Sequence, residues 1–305
     1  MASRVPTAGG ILLVDKPGGL TSHDVVARAR RALGTRKIGH AGTLDPMATG
    51  LLVLGVEGST RLLTYLVGLG KTYTATIRLG QTTTTDDAEG DTVAQASPEQ
   101  LATVSDDAIA GGVAALTGDI SQVPSAVSAI KVDGRRAYDR VRAGEEVELA
   151  ARAVTISRFA VTAIRRGADG VDLDVEVDCS SGTYIRALAR DLGAGLGVGG
   201  HLTALRRTHV GPFDVVDGAS LEALADAALL PPAEVATRVL GRFDATADEA
   251  RDLRHGKRLA GAAGRVRGER AAAVHPDGRL IGIVEKRGDA VKSVMNMPEV
   301  SGDAE

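Results

Sequence analysis

A chain of 305 residues with 44% hydrophobic and 25% charged side chains can bury a substantial core, in one large domain or two. Its net charge of -3 excludes a globally basic nucleic-acid binder, and no apolar run approaches the roughly 20 residues of a membrane-spanning helix. The stretch Ile11–Val14 is too short for a signal peptide and the lone Cys179 can form no internal disulfide, so a cytoplasmic protein is expected, with Cys179 as a small core residue.

Ile11-Leu12-Leu13-Val14 followed by Asp15-Lys16-Pro17-Gly18-Gly19 predicts a buried strand ending in a turn. Thr21, Ser22 or Asp24 can then cap a helix running to about Leu33, with Val25, Val26, Ala29 and Leu33 on one face and arginines on the other. The next segment, Gly39 to Gly50, packs three glycines, His40 and Asp45-Pro46 in front of the apolar run Leu51–Leu54. Pro46 pushes Asp45 out of the helical region, so its carboxylate is expected on a turn or extended backbone, partly desolvated by the wall behind it. A lone Asp-Pro is ordinarily a turn whose side chain bonds nearby N–H groups; the glycine density instead implies a backbone that approaches something closely.

The stretch GHAGTLDPMATGLLVLGVEGSTRL resembles the signature loop of the bacterial tRNA pseudouridine-55 synthases, the TruB type, in which the aspartate is the nucleophile. By this resemblance Asp45 is the catalytic group, and His40 inserts into the space left by the extruded base. Lys16-Pro17 is similar to a lysine-proline motif of the same enzymes. It is read as a tight turn supporting the active-site loop, with Lys16 counted among the residues near substrate.

Lys71 to Gly80 alternates as a strand with Tyr73, Ala75, Ile77 and Leu79 on one face. Tyr73 resembles the family tyrosine that stacks on the flipped uracil and is a candidate for moving a proton; the alternative is a cross-strand core tyrosine. The acidic loop TTTTDDAEG (residues 82–90) resembles a turn that braces the active site. Pro98 to Leu116 carries a helical pattern. The basic, turn-rich segment that follows, about 122–150, resembles a thumb insertion that closes on RNA, against the plain reading of a surface excursion.

Val171 to Cys179 alternates almost strictly and leads into Ser180–Asp191, a turn that becomes an amphipathic helix. The resemblance makes Tyr184 a nucleoside contact and Arg186 the partner of Asp45. An arginine there would keep the carboxylate ionised against desolvation. Gly193 to Gly200 is glycine-rich but follows a helix and lacks a phosphate-loop lysine, so it is not a nucleotide site. In HLTALRRTHVGPF (residues 201–213), Leu205 matches the leucine that packs on the target base.

From Ser220 the pattern predicts a helix over 221–230 closed by Pro231-Pro232. Short strands follow at 271–274 and 280–284 around an Asp277-Gly278 turn, with a frayed end from Ala290. Three basic groups stand out: Arg28 to Lys37, Lys131 to Arg142, and Arg251 to Arg270. Each could bind phosphate or be a solvated face balanced by neighbouring carboxylates.

The resemblance thus implies an α+β fold: a pseudouridine synthase catalytic domain (1–243) with a central mixed, mainly antiparallel sheet flanked by helices, and a small C-terminal PUA-like β domain (244–305) that binds RNA. It implies an isomerase acting on uridine 55 in the T-loop of tRNA, needing no cofactor or metal and no obligate protein partner, as a monomer, and also able to aid tRNA folding. The thumb-like segment and residues 201–213 favour this type over the archaeal and eukaryotic guide-RNA enzymes. A noncatalytic RNA-binding module and a hydrolase using Asp45 with His40 are the rivals from other classes.

Overall fold

The computed structural model describes residues 9–125, 131–132, 135–136 and 149–298. Its described residues fall into two units, one drawn from Met1–Pro46, Gly50–Leu69 and His209–Glu305, the other from Met47–Thr49 and Gly70–Thr208.

In the first unit the aliphatic run behind Asp45 becomes the strand Thr49–Val56, paired antiparallel with Gly10–Lys16 in the register Leu12↔Leu54 and Val14↔Leu52. Ile38–His40 pairs with its far end, His40 opposite Leu54. The helix Ser22–Leu33 begins on a reciprocal capping box between Thr21 and Asp24 and stops at Gly34, which takes the left-handed conformation at φ 67°. Its apolar positions Val25, Val26 and Ala29 are buried, as the spacing predicts.

Residues 221–230 form no helix, contrary to the periodicity. The helix is Pro232–Leu240, and the two prolines start it instead of closing one, because a proline at the first position sacrifices an N–H that has no partner there anyway. Residues 290–296 are also strand, not the frayed segment expected from their composition. Ala290–Asn296 is a strand, paired on one side with Leu280–Arg287 and on the other with Arg258–Leu259. With Arg242–Asp244 and Arg270–Val274 these make a five-stranded sheet. One face covers Phe243, Leu253 and Val291. The other contributes Val274 and Ile283 to a core that includes Ile11, Leu51, Phe213 and Val235.

The second unit is built on an antiparallel ladder. Val171–Cys179 lies between Lys71–Leu79 and Arg152–Arg166, with Tyr73 opposite Val177, and Gly118–Gln122 extends the sheet beyond Arg152–Arg166. Gly200–Val210 neighbours Lys71–Leu79 on the other side. The inward residues of Val171–Cys179 are all buried and the outward ones half-buried, the two-residue period read in the sequence. Outward carboxylates are matched by cross-strand partners: Asp172 with Arg78 at 2.7 Å, Asp178 with Thr72 at 2.6 Å.

The expected single helix over 98–116 is two, Pro98–Ala102 and Asp106–Ala115, because Ser97 and Ser105 each cap a new start. The helix Ile185–Gly195 ends where Gly193 meets the backbone of Gly199 and Gly200. A Cβ at Gly193 would lie 2.2 Å from Gly199, so this glycine serves close packing. Of the thumb-like segment, all but 122–125, 131–132, 135–136 and 149–150 lies outside the described residues. Lys131–Val132 and Arg135–Arg136 pair as a short hairpin. No helix among the described residues is long and apolar enough to cross a membrane.

Candidate active site

The Asp45 loop is held from three directions. The ammonium of Lys16, a residue with no exposed surface, donates to the carbonyl oxygens of Pro17 at 2.9 Å, Leu20 at 2.6 Å and Pro46 at 3.1 Å. Ser22 Oγ donates to the Leu44 carbonyl and accepts from the Leu44 N–H at 2.9 Å. Gly19 N–H donates to the Pro46 carbonyl at 2.8 Å. The two residues flanking Asp45 are therefore pinned on the strand-turn-helix unit, and the carboxylate itself is half-buried. Gly42 in the same loop takes φ 94°, open only to glycine without strain. His40 enters the loop with its ring edge-to-face on His23, centroids 5.5 Å apart.

Because Lys16 ties Pro17 and Leu20 to the residue after Asp45, its loss would leave an ammonium-sized gap and three partly buried carbonyls without their donor. Lys16→Met is expected to destabilise the chain by about 3 kcal/mol in urea titration. It should also lower the turnover of whatever reaction Asp45 performs. Unchanged stability would mean that water replaces the ammonium.

In the second unit Tyr73 is buried, 7% exposed, on the strand face the alternation assigns to it. Gln122 holds the backbone of Tyr184, its amide donating to the carbonyl at 3.0 Å and its oxygen accepting from the N–H at 2.8 Å. Two residues on, in the first turn of Ile185–Gly195, the guanidinium of Arg186 is 4% exposed. It lies 3.3 Å from the Asp87 carboxylate, itself 3% exposed, and donates to the Thr85 carbonyl at 3.0 Å. Asp87 in turn accepts from the Glu89 N–H at 3.1 Å and from the Thr85 hydroxyl. Beside it, Asp86 takes φ 59°, a conformation aspartate tolerates better than most residues. Burial raises the Asp86 carboxyl above its usual range against the Ser125 hydrogen bond and the Arg190 and Arg186 charges. The acidic turn singled out in the sequence is thus the anchor of Arg186. Asp87 and Gln122 are the residues sequence reading missed, and the double aspartate in TTTTDDAEG was the available signal.

Leu205 is 8% exposed, and its carbonyl faces the Thr49 hydroxyl at 3.5 Å. An open cleft of about 650 Å³ is lined by Met47, Thr49, Thr74, Thr76, Leu205 and Arg206 among others. It joins the segment just after Asp45 to the strand that carries Leu205. Lys16, His40 and Asp45 thus belong to the first unit, and Tyr73, Tyr184, Arg186 and Leu205 to the second.

Two residues before Tyr73, Lys71 is buried near Arg207, and its ammonium lies 3.4 Å from Ser181 Oγ. Burial first, and then the Arg207 charge, lower its pKa to about 8. Burial pushes the nearby Cys179 thiol up to about 11. Between pH 8 and 9 the folded chain has released the Lys71 proton while the unfolded chain still holds it, so this group makes stability rise with pH. Above pH 9 the unfolded chain ionises Cys179 and the folded one does not, which opposes the rise. Urea unfolding at pH 7.5 to 9 should show the upward component in the wild type and lose it in Lys71→Met; an unchanged slope would place the titration elsewhere.

Three family models cover most of the chain. The TruB family pseudouridylate synthase N-terminal domain matches residues 30–185, the tRNA pseudouridylate synthase B C-terminal domain 186–243, and the tRNA pseudouridine synthase II C-terminal region 240–298. The chain is 62% identical to the tRNA pseudouridine synthase B of Leifsonia xyli over 95% of its own length and 96% of that protein. It is 56% identical to that of Mycobacterium ulcerans, over 94% of each. Among solved structures it resembles an H/ACA RNP bound to a substrate RNA containing 2′-deoxyuridine, with TM-score 0.71, 25% identity, and coverage of 97% of this chain and 87% of that one. It also resembles a Cbf5-Nop10-Gar1 complex, with TM-score 0.70, 25% identity, and coverage of 98% and 89%. A pinned aspartate loop, an α+β fold and near-complete sequence coverage agree: the chain belongs to the TruB family of pseudouridylate synthases.

Proposed function

We propose that this chain converts uridine 55 in the T-loop of tRNA to pseudouridine, with Asp45 as nucleophile. The observation that carries this reading is the half-buried Asp45, its neighbours fixed by Lys16 and Ser22, in a chain that matches tRNA pseudouridine synthase B proteins along nearly its whole length. In the reaction the N1–C1′ bond of uridine breaks and a C5–C1′ bond forms; C5 loses its proton and N1 gains one. The electron and atom count closes without a redox partner.

The base must first leave the stack, a cost repaid by contacts to the flipped ring. His40 fills the vacated space, Tyr73 and Leu205 hold the two faces of the uracil, and Tyr184 meets the nucleoside. Arg186, fixed by Asp87 and Thr85, presents its charge to Asp45 and keeps that carboxylate ionised. Asp45 then attacks C1′, or removes the C2′ proton to give a glycal. The enzyme works as a cytoplasmic monomer. Residues 1–243 form the catalytic domain, with 122–150 as the thumb, and 244–305 a PUA-like RNA-binding domain.

Because C5 of the target uridine exchanges its hydrogen for a carbon bond, a T-arm transcript tritiated at uridine C5 should release one tritium per molecule. Replacing uridine 55 by cytidine should abolish the release. Equal release from both transcripts would overturn the site assignment, and no release from either the activity.

A further inference from the structure

Seven basic residues between Arg251 and Arg270 stand close in sequence, and the structure sorts them. Arg251 is neutralised by Asp248 at 2.7 Å, Lys257 by Asp252 at 2.7 Å, Arg265 by Glu249 at 2.5 Å and Arg270 by Glu285 at 3.6 Å. Among the described residues, the side chains of Arg254, Arg258 and Arg267 have no ion pair or hydrogen bond. Arg254 lines a cavity.

That cavity, about 270 Å³, lies in the first unit. Its lining includes Pro231, Pro232 and Met297 together with Asp277 and Arg279. Asp277 is committed to its own turn: its carboxylate accepts from the Arg279 N–H at 2.9 Å and from Arg279 Nε at 2.6 Å, and lies 2.9 Å from His275 Nδ1. Burial would raise the Asp277 pKa, but these partners overcome it and hold it at about 2. The carboxylate and the Arg279 guanidinium therefore cancel, and among the described residues the Arg254 charge has no counterion beside the apolar residues of the cavity. A half-buried guanidinium at a helix end gains something from the helix dipole, but that does not account for the cavity in front of it. The volume is below that of typical small-molecule sites and suits a single phosphate-bearing nucleotide. A proline and methionine wall accepts the flat or ribose side of such a group, and a planar guanidinium suits its phosphate.

We infer that the Arg254 cavity is an RNA subsite that takes one phosphate-bearing nucleotide of the substrate tRNA, separate from the Asp45 loop. The inference rests on the reading of the chain as a tRNA-modifying enzyme. It adds affinity and leaves the chemical step alone.

The test measures binding of full-length tRNA transcript over a range of salt, and single-turnover pseudouridine formation at saturating tRNA, for wild type, Arg254→Ala, Arg254→Lys and Arg251→Ala. Arg254→Ala should raise Kd about fivefold and lower the slope of log K against log salt by about one, with the single-turnover rate unchanged. Arg254→Lys should keep the salt slope, and Arg251→Ala, whose charge is already spent on Asp248, should behave as wild type. Thermal melts of each variant separate a folding defect from lost contact. If Arg254→Ala leaves Kd and slope unchanged, or if Arg251→Ala matches its effect, the subsite is overturned. A wild type that binds tRNA without modifying it would instead sink the synthase reading while leaving the Arg254 result to stand on the binding data.

Discussion

Asp45→Asn is expected to abolish pseudouridine formation, by at least about 1,000-fold in single-turnover rate, while leaving tRNA affinity within about threefold of wild type. The substitution keeps the size and hydrogen-bonding shape of the side chain, and the anchors on either side are backbone contacts to Leu44 and Pro46 that it does not touch. Only the negative charge and the nucleophilic oxygen are removed. Carbodiimide-primer extension on T-arm transcript, beside a filter-binding assay, reads both quantities. A variant that neither binds nor modifies would show that the carboxylate holds the loop together. A variant that binds and still modifies would remove Asp45 from the mechanism. The binding-competent, inactive protein would also separate any help with tRNA folding from catalysis, because a noncatalytic RNA-binding module would tolerate the loss of that carboxylate and a synthase would not.

The second large effect concerns Arg186. Its guanidinium and the Asp87 carboxylate are almost wholly removed from water, at 4% and 3% exposure. Removing one member of such a pair strands the other charge in a medium that cannot solvate it, at a cost of about 3–5 kcal/mol. Arg186→Ala is therefore expected to lose that much stability in urea unfolding and to lose activity as well. Arg186→Lys should recover part of the stability, since an ammonium can still meet Asp87. It should recover little activity, because a point charge lacks the planar fork with which the guanidinium meets both Asp87 and the Thr85 carbonyl. Asp87→Asn separates the two roles. It should cost stability while leaving more activity than Arg186→Ala, and an inactive but fully stable Arg186→Ala would show that the arginine is needed at the nucleophile alone.

These two residues also mark how far the sequence could be read. Asp45 was legible because the chemistry of its neighbourhood is local: a proline that fixes the backbone, glycines that open φ, and an aliphatic run directly behind. The α+β class, the strands at Ile11–Val14, Lys71–Leu79 and Val171–Cys179, and the capped helix Ser22–Leu33 were legible for the same reason, since periods of two and 3.6 residues and capping side chains act within a few positions. Failures came where a local signal had two meanings. Pro231-Pro232 could close a helix or open one, and packing of Ala233, Val235 and Ala236 into the core chose the second. Ala290–Asn296 looked frayed because its polar residues hid a strand whose hydrogen bonds come from two neighbours elsewhere in the chain.

The identity of Arg186's anchor is a contact across about 100 positions of sequence, and no local pattern encodes it. Which of the basic residues 251–270 keep a free charge depends likewise on which carboxylates the sheet brings beside them. By itself the sequence determined the Asp45 turn, the periodic elements and the family to which the chain belongs. The tertiary structure alone decided which charges are cancelled, which are buried and paired, and that the C-terminal sheet shares a core with the strands beside the Asp45 loop. The physical reason is range: backbone preference acts over a few residues, whereas burial and charge pairing depend on neighbours that only folding supplies.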